Sequence, residues 1–142
     1  RGKARSLIGL RPVPRGTSGG VSLLGLGASA GGGGFIGVIT LLGLWVLPGT
    51  PELPYFSSLI LGLVISATGF SGSLIDSFLG ATVQALYLDE SGERTERKQG
   101  VSGTNRLVKG LPWINNDTVN FLSILIAGAA AFAAALILVP TG

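Results

Sequence analysis

Cysteine, histidine and methionine are all absent from the 142 residues. Without cysteine there is no disulfide, no thiolate nucleophile and no thiolate-bound metal. Without histidine the chain lacks the commonest general base and the usual ligand of zinc, haem and copper. Ser–His–Asp and Cys–His catalysis are therefore excluded within it. A chain without methionine even at position 1 is expected to be a processed protein or part of a longer one. Charge is scarce too: 12% of residues are charged, against roughly 25% in an average soluble domain. What is present is apolar residues at 46%, 24 glycines and a mean hydropathy of +0.59. That balance excludes a disordered chain and argues against a soluble enzyme of ordinary composition. It points to an integral membrane protein.

Charge divides the chain. Residues 1–20 hold Arg1, Lys3, Arg5, Arg11 and Arg15 and no acid, with prolines and glycines that mark a loop. Residues 21–47 carry no charge over 27 positions, and a helix of that length is about 40 Å long, enough to cross the membrane. Residues 55–88 form a 34-residue stretch with one charge, Asp76. Such a stretch is too long for one straight crossing, so a break is expected near Gly69–Gly72, giving two halves of one broken span or a tight hairpin, and the charge count favours the broken span. Residues 89–117 are a polar loop, and 119–139 form a last span closed by Pro140. The fold expected is all-α: one membrane domain over 1–142, a helix bundle of about three crossings with one broken helix. A single broken crossing at 55–88 places all ten Lys and Arg on one side of the membrane and Glu52 on the other. The positive-inside rule makes the basic side cytoplasmic, or its organellar equivalent. Small residues spaced at four, among them Gly33 and Gly37, Gly62 and Ser66, and Ala127, Ala131 and Ala135, suit close helix packing in lipid.

Three stretches are more polar than packing requires. The first, residues 11–22, is basic and rich in Gly, Ser and Thr, and lies just before a span. Arg11, Arg15, Gly16, Thr17, Ser18, Gly19 and Gly20 there can cradle a phosphate through backbone N–H groups and charge-assisted bonds. The bland alternative is a basic loop that only sets topology. In the second, Ser73, Asp76, Ser77, Gly80 and Gln84 fall on one helical face. An ionisable group within a span costs about 2.5–3.5 kcal/mol on insertion scales and marks function by default. Asp76 is a hard oxygen ligand suited to Mg²⁺; the alternative is a protonated or paired Asp packed against other helices. In the third, Asn116 or Asp117 can cap the last helix, while Asn116, Asn120 and Ser123 share a face. Asp117 is a second carboxylate on the side of Asp76. Glu93, Arg94, Glu96 and Arg97 lie in a stretch of alternating charge and are read as a solvated loop or hairpin without chemistry.

In order and spacing, residues 12–25, 72–84 and 115–123 resemble the DUF92 family, also known through transmembrane protein 19, which includes the plastid phytyl-phosphate kinase of vitamin E synthesis. The resemblance implies a polytopic membrane protein and, from the plant members, phosphate transfer from CTP or a similar nucleoside triphosphate to phytyl phosphate. By analogy with polyprenol and dolichol kinases, the loop of Arg11, Arg15 and 16–20 would hold phosphates. Asp76 and Asp117 would be catalytic and bind Mg²⁺, supported by Ser73, Ser77, Gln84, Asn116 and Asn120. Family members also carry an acidic motif and further spans upstream, which these 142 residues do not contain, so the resemblance is to a C-terminal part. The expected partners are membrane lipid, an isoprenoid phosphate and other membrane subunits, with no nucleic acid, in a multi-pass setting such as a plastid membrane. The alternative function is a non-catalytic subunit of a larger membrane complex. A transporter built on Asp76 ranks behind both, since the spans are too few for an inverted repeat.

Overall fold

The structure is a computed structural model, and it describes residues 4–14, 17–47, 53–101 and 103–139. Arg15 and Gly16 lie outside the described residues. Three helices are long and apolar enough to cross a membrane: α1 (Leu23–Val46), α2 (Tyr55–Thr82) and α3 (Asn116–Leu138). Two small antiparallel sheets accompany them. One pairs β1 (Arg5–Ser6) with β2 (Gly20–Val21); the other is ordered β4-β3-β5, from β3 (Leu86–Leu88), β4 (Arg94–Thr95) and β5 (Arg106–Lys109). The chain forms two compact units, Leu23–Leu74 with Ile124–Gly142, and Arg1–Ser22 with Ile75–Ser123.

In the first unit, α1 packs antiparallel on α2 through the small residues that the spacing singled out. Gly33 faces the backbone of Ser66 and Phe70, and Gly37 faces Gly62 and Ser66. A Cβ on either glycine would run into backbone oxygen, so the approach depends on their having none. Gly72 meets the methyl of Ala127, the first of the three spaced alanines in α3. The outer faces carry exposed Leu24, Phe35, Ile39, Ile124, Phe132 and Leu136, as a lipid-facing surface requires. Trp45 stacks on Tyr55 with ring centroids 5.0 Å apart, at the α1–α2 turn where interfacial aromatics belong.

The expected break near Gly69–Gly72 does not occur: α2 is one continuous helix of 28 residues. A break in lipid would strand backbone N–H and C=O groups without partners. The glycines serve packing instead, Gly69 lying against Gly33 and Gly72 against Ala127. At 1.5 Å per residue α2 is about 42 Å long, longer than the roughly 30 Å hydrocarbon layer, so it tilts or reaches past it.

In the second unit, the helical reading of 83–88 gives way to a turn and strand, and Tyr87 is buried, as are Ala85, Ile114 and Val119. The Asp89–Gly92 turn that joins β3 to β4 is tied by the Asp89 carboxylate, which accepts from Ser91 N, Ser91 Oγ and Glu93 N. The Ser91 hydroxyl and then the Glu93 N–H hold that carboxyl below its usual range. The polar segment thus contains the hairpin that the sequence offered as the alternative to a loop, β3–β4, extended by β5 to a three-stranded sheet.

Two outcomes follow. Gly37→Leu should destabilise the α1–α2 pair by about 1–3 kcal/mol through overpacking, while Gly34→Leu, which points into open space, should be neutral or stabilising; thermal unfolding in detergent compares them. In this cysteine-free chain, Ser91→Cys should react with an impermeant maleimide from the basic side of oriented vesicles, and Leu53→Cys only from the other.

Candidate functional site

The last turn of α2 leaves carbonyls that the helix cannot satisfy. Leu79 O accepts from both Val83 N and Gln84 N. Gly80 O accepts from Lys109 Nζ at 3.0 Å, and Val83 O accepts from Leu111 N at 3.0 Å. Gly19 and Gly110 both have positive φ and lie so close to Ala81 and Gln84 that no side chain would fit. The Thr17–Gly20 turn and the end of β5 are thereby drawn onto the end of α2, and Ser18 Oγ donates to Gln84 Oε1.

Between these segments lies a cleft of about 250 Å³, lined among others by Thr17, Ser18, Gly80, Gln84, Arg94 and Lys109. A neighbouring cavity of about 450 Å³ shares Thr17, Ser18 and Arg94 and adds Glu93 and Glu96. Lys109 reaches the cleft because of a register shift. Tyr87 pairs with Leu107 but Leu86 pairs with Lys109, a bulge between Leu86 and Tyr87. Plain alternation would put Lys109 on the face of Leu107. The bulge turns it to the face of Leu86, which Leu88 and its partner Arg94 share. Burial, and then the charge of Arg94, push the Lys109 ammonium below the ordinary lysine range.

The sequence-based candidates fall into three groups. Thr17, Ser18, Gly19 and Gly20 do stand at this cleft or pack beside it, held on the end of α2, whereas Arg11 is exposed. On α2, Ser73 Oγ donates to Phe70 O and Ser77 is half-buried. Gln84 is 2% exposed, just beyond the helix yet still bonded to it. Asp76 lies one turn before Gly80, about 6 Å along the axis, beside the Ser123 hydroxyl, and its Oδ1 is buried without a hydrogen-bond partner. On α3 the cap is Asn115, not Asn116 or Asp117: its Oδ1 accepts from Thr118 N and Thr118 Oγ1, both at 2.9 Å. Asn115 wins because it stands three residues before a partner that offers both donors. Asp117 then occupies the first turn, where a carboxylate suits the helix dipole. It is exposed, as are Asn116 and Asn120, and about 120° round the helix from Ser123. Among the described residues no group of three or more acidic side chains gathers to hold a metal ion. Arg94, read from sequence as having no chemistry, lines the cleft, and Lys109 joins it. Their approach depends on the bulge, which periodicity does not reveal.

Residues 1–128 match the family described as integral membrane protein DUF92. The chain belongs to that family. Protein PGR of Arabidopsis thaliana is 34% identical over 123 residues, which cover 86% of this chain and 42% of that protein. This DUF92 chain therefore spans less than half the length of that curated relative. No solved structure matches it. With three apolar helices of spanning length, it is a multi-pass integral membrane protein.

The lowered pKa of Lys109 has a definite sign. The unfolded chain keeps this proton to higher pH than the folded one, so the relative stabilisation is present above the ordinary lysine value and lost as pH falls through the lowered one. Side-chain nitrogen NMR should show Lys109 losing its proton below the ordinary lysine range; titration within that range would show that burial and Arg94 do not act on it.

Proposed function

We propose that this chain is the C-terminal part of a membrane prenyl-phosphate kinase, which transfers phosphate from CTP or a similar nucleoside triphosphate to phytyl phosphate or a related isoprenoid phosphate. The observation that carries the reading is Asp76: a carboxylate within a membrane-spanning helix, with one buried oxygen unpartnered. Retaining such a group in a span is expensive, and function is its usual cause. Membership of DUF92 and the polar cleft one turn further along α2 support the same reading. Phosphoryl transfer needs positioning and charge neutralisation more than covalent chemistry by the protein, which suits a chain without His or Cys.

In this reading Asp76 Oδ1 is free to hold Mg²⁺, which takes one or two carboxylates and completes its shell with water and substrate phosphates. The bound ion would neutralise phosphate charge. The Ser123 hydroxyl lies beside the Asp76 carboxyl, whereas Asp117, exposed and about 120° round α3 from Ser123, does not join it. Thr17, Ser18 and the glycines after them position phosphate oxygens at the end of α2. The three helices keep an isoprenoid tail in lipid, with its charged end at the interface. A plastid membrane is the setting this reading brings with it.

A second reading, a non-catalytic subunit of a membrane complex, draws on the broad exposed apolar faces of α1 and α3. Stoichiometric partners on purification and no nucleotide binding would favour it. The deciding assay is CTP-dependent phosphorylation of phytyl phosphate in lipid nanodiscs. Asp76→Asn should lower the rate by more than about 100-fold with helix content unchanged. No CTP-dependent phosphorylation by the parent would remove the kinase assignment, and an Asp76→Asn protein as active as the parent would remove Asp76 from the site.

A further inference from the structure

The cleft at the end of α2 has donors without acceptors. Gln84 is buried, its Oε1 is taken by the Ser18 hydroxyl, and its Nε2 has no partner. The missing partner of Nε2 is an acceptor. Lys109 Nζ gives one N–H to Gly80 O and keeps two more for the cleft. Arg94 enters from β4, and no carboxylate offsets Lys109 among the described residues. Two cations lining one cleft, beside an unused amide donor, form a site that an anion completes.

We propose that Lys109, Arg94 and Gln84 form a phosphoryl-binding subsite on the extramembrane sheet. Lys109 and Arg94 neutralise the group, Gln84 Nε2 donates to one of its oxygens, and the Thr17 hydroxyl closes the opposite wall. The bulge in β5 exists in this account to aim Lys109 at the ligand. The cleft's roughly 250 Å³ is below the 300–1,000 Å³ of pockets that enclose drug-sized ligands. It therefore takes the charged end of a ligand, a phosphate or diphosphate, while the remainder lies outside. The source is either a nucleotide arriving from water or the headgroup of an isoprenoid phosphate in the membrane. The subsite stands on its own donors and does not require that the protein be a kinase.

The test is calorimetric titration of inorganic pyrophosphate into the protein in nanodiscs. Lys109→Ala and Arg94→Ala should each weaken binding at least tenfold, Lys109→Arg should retain most of it, and Lys98→Ala, the same charge loss on an exposed strand-to-loop residue, should change it less than twofold. Arg94 is exposed on a short strand, so its variant keeps the fold even if Lys109→Ala loosens the end of α2. Competition then names the source: displacement of pyrophosphate by CTP assigns the subsite to nucleotide, and displacement by phytyl phosphate in the disc assigns it to the lipid. Binding without any phosphoryl transfer would leave this subsite standing while removing the kinase reading. No pyrophosphate binding, or equal binding by the Arg94→Ala and Lys98→Ala proteins, would overturn it.

Discussion

The end of α2 must find partners for carbonyls that its own helix cannot supply. Everything outside the membrane in this part of the chain is organised by how that demand is met. One carbonyl takes two backbone donors from the turn that follows, one takes the Lys109 ammonium, and one takes the Leu111 amide. Meeting it brings the end of β5 against α2, and Gly110 is there because its positive φ and lack of a side chain allow the approach. Gly19 does the same from the N-terminal side at Ala81. The cleft is the space enclosed when both segments arrive at one helix end, so its lining comes from parts of the sequence more than ninety residues apart.

Placement gives the cleft its chemical character. A helix C-terminus carries partial negative charge, which favours a cation, and Lys109 answers it. Once Lys109 and Arg94 share the space with an unsatisfied amide donor, the balance passes to positive and an anion is the natural occupant. One turn back along the same face, Asp76 brings a carboxylate to the side where the basic residues gather. A donor-rich cleft and a carboxylate on consecutive turns of one helix are what a phosphate and its counter-ion would need.

The membrane part was largely legible in the sequence because lipid imposes a long apolar run and small residues at contact points. The spacing of Gly33 with Gly37 and of Gly62 with Ser66 names the residues that meet. The expected break in α2 misjudged Gly69 and Gly72 as breakers, where the lipid environment makes them packing surfaces. The loop of 17–20 and the face of Asp76, Gly80 and Gln84 were also legible, since each follows a local pattern. Lys109 and Arg94 were not. Their meeting depends on strand pairing over distance and on a one-residue bulge, and neither leaves a trace in local periodicity. The helix cap, read as Asn116 or Asp117, was misplaced by one or two residues, which only the geometry of Thr118 decides.

Hydrogen exchange of the protein in nanodiscs, with and without CTP and phytyl phosphate, tests most directly whether the end of α2 is the organising point of a phosphoryl-binding site. The account predicts that the amides of Val83, Gln84, Ala85 and Leu111 exchange slowly as one group. It predicts further protection on ligand addition at 17–20 and 107–111, with little change in the turn at 89–92. Fast, independent exchange at Ala85 and Leu111, or protection confined to residues away from the end of α2, would contradict it.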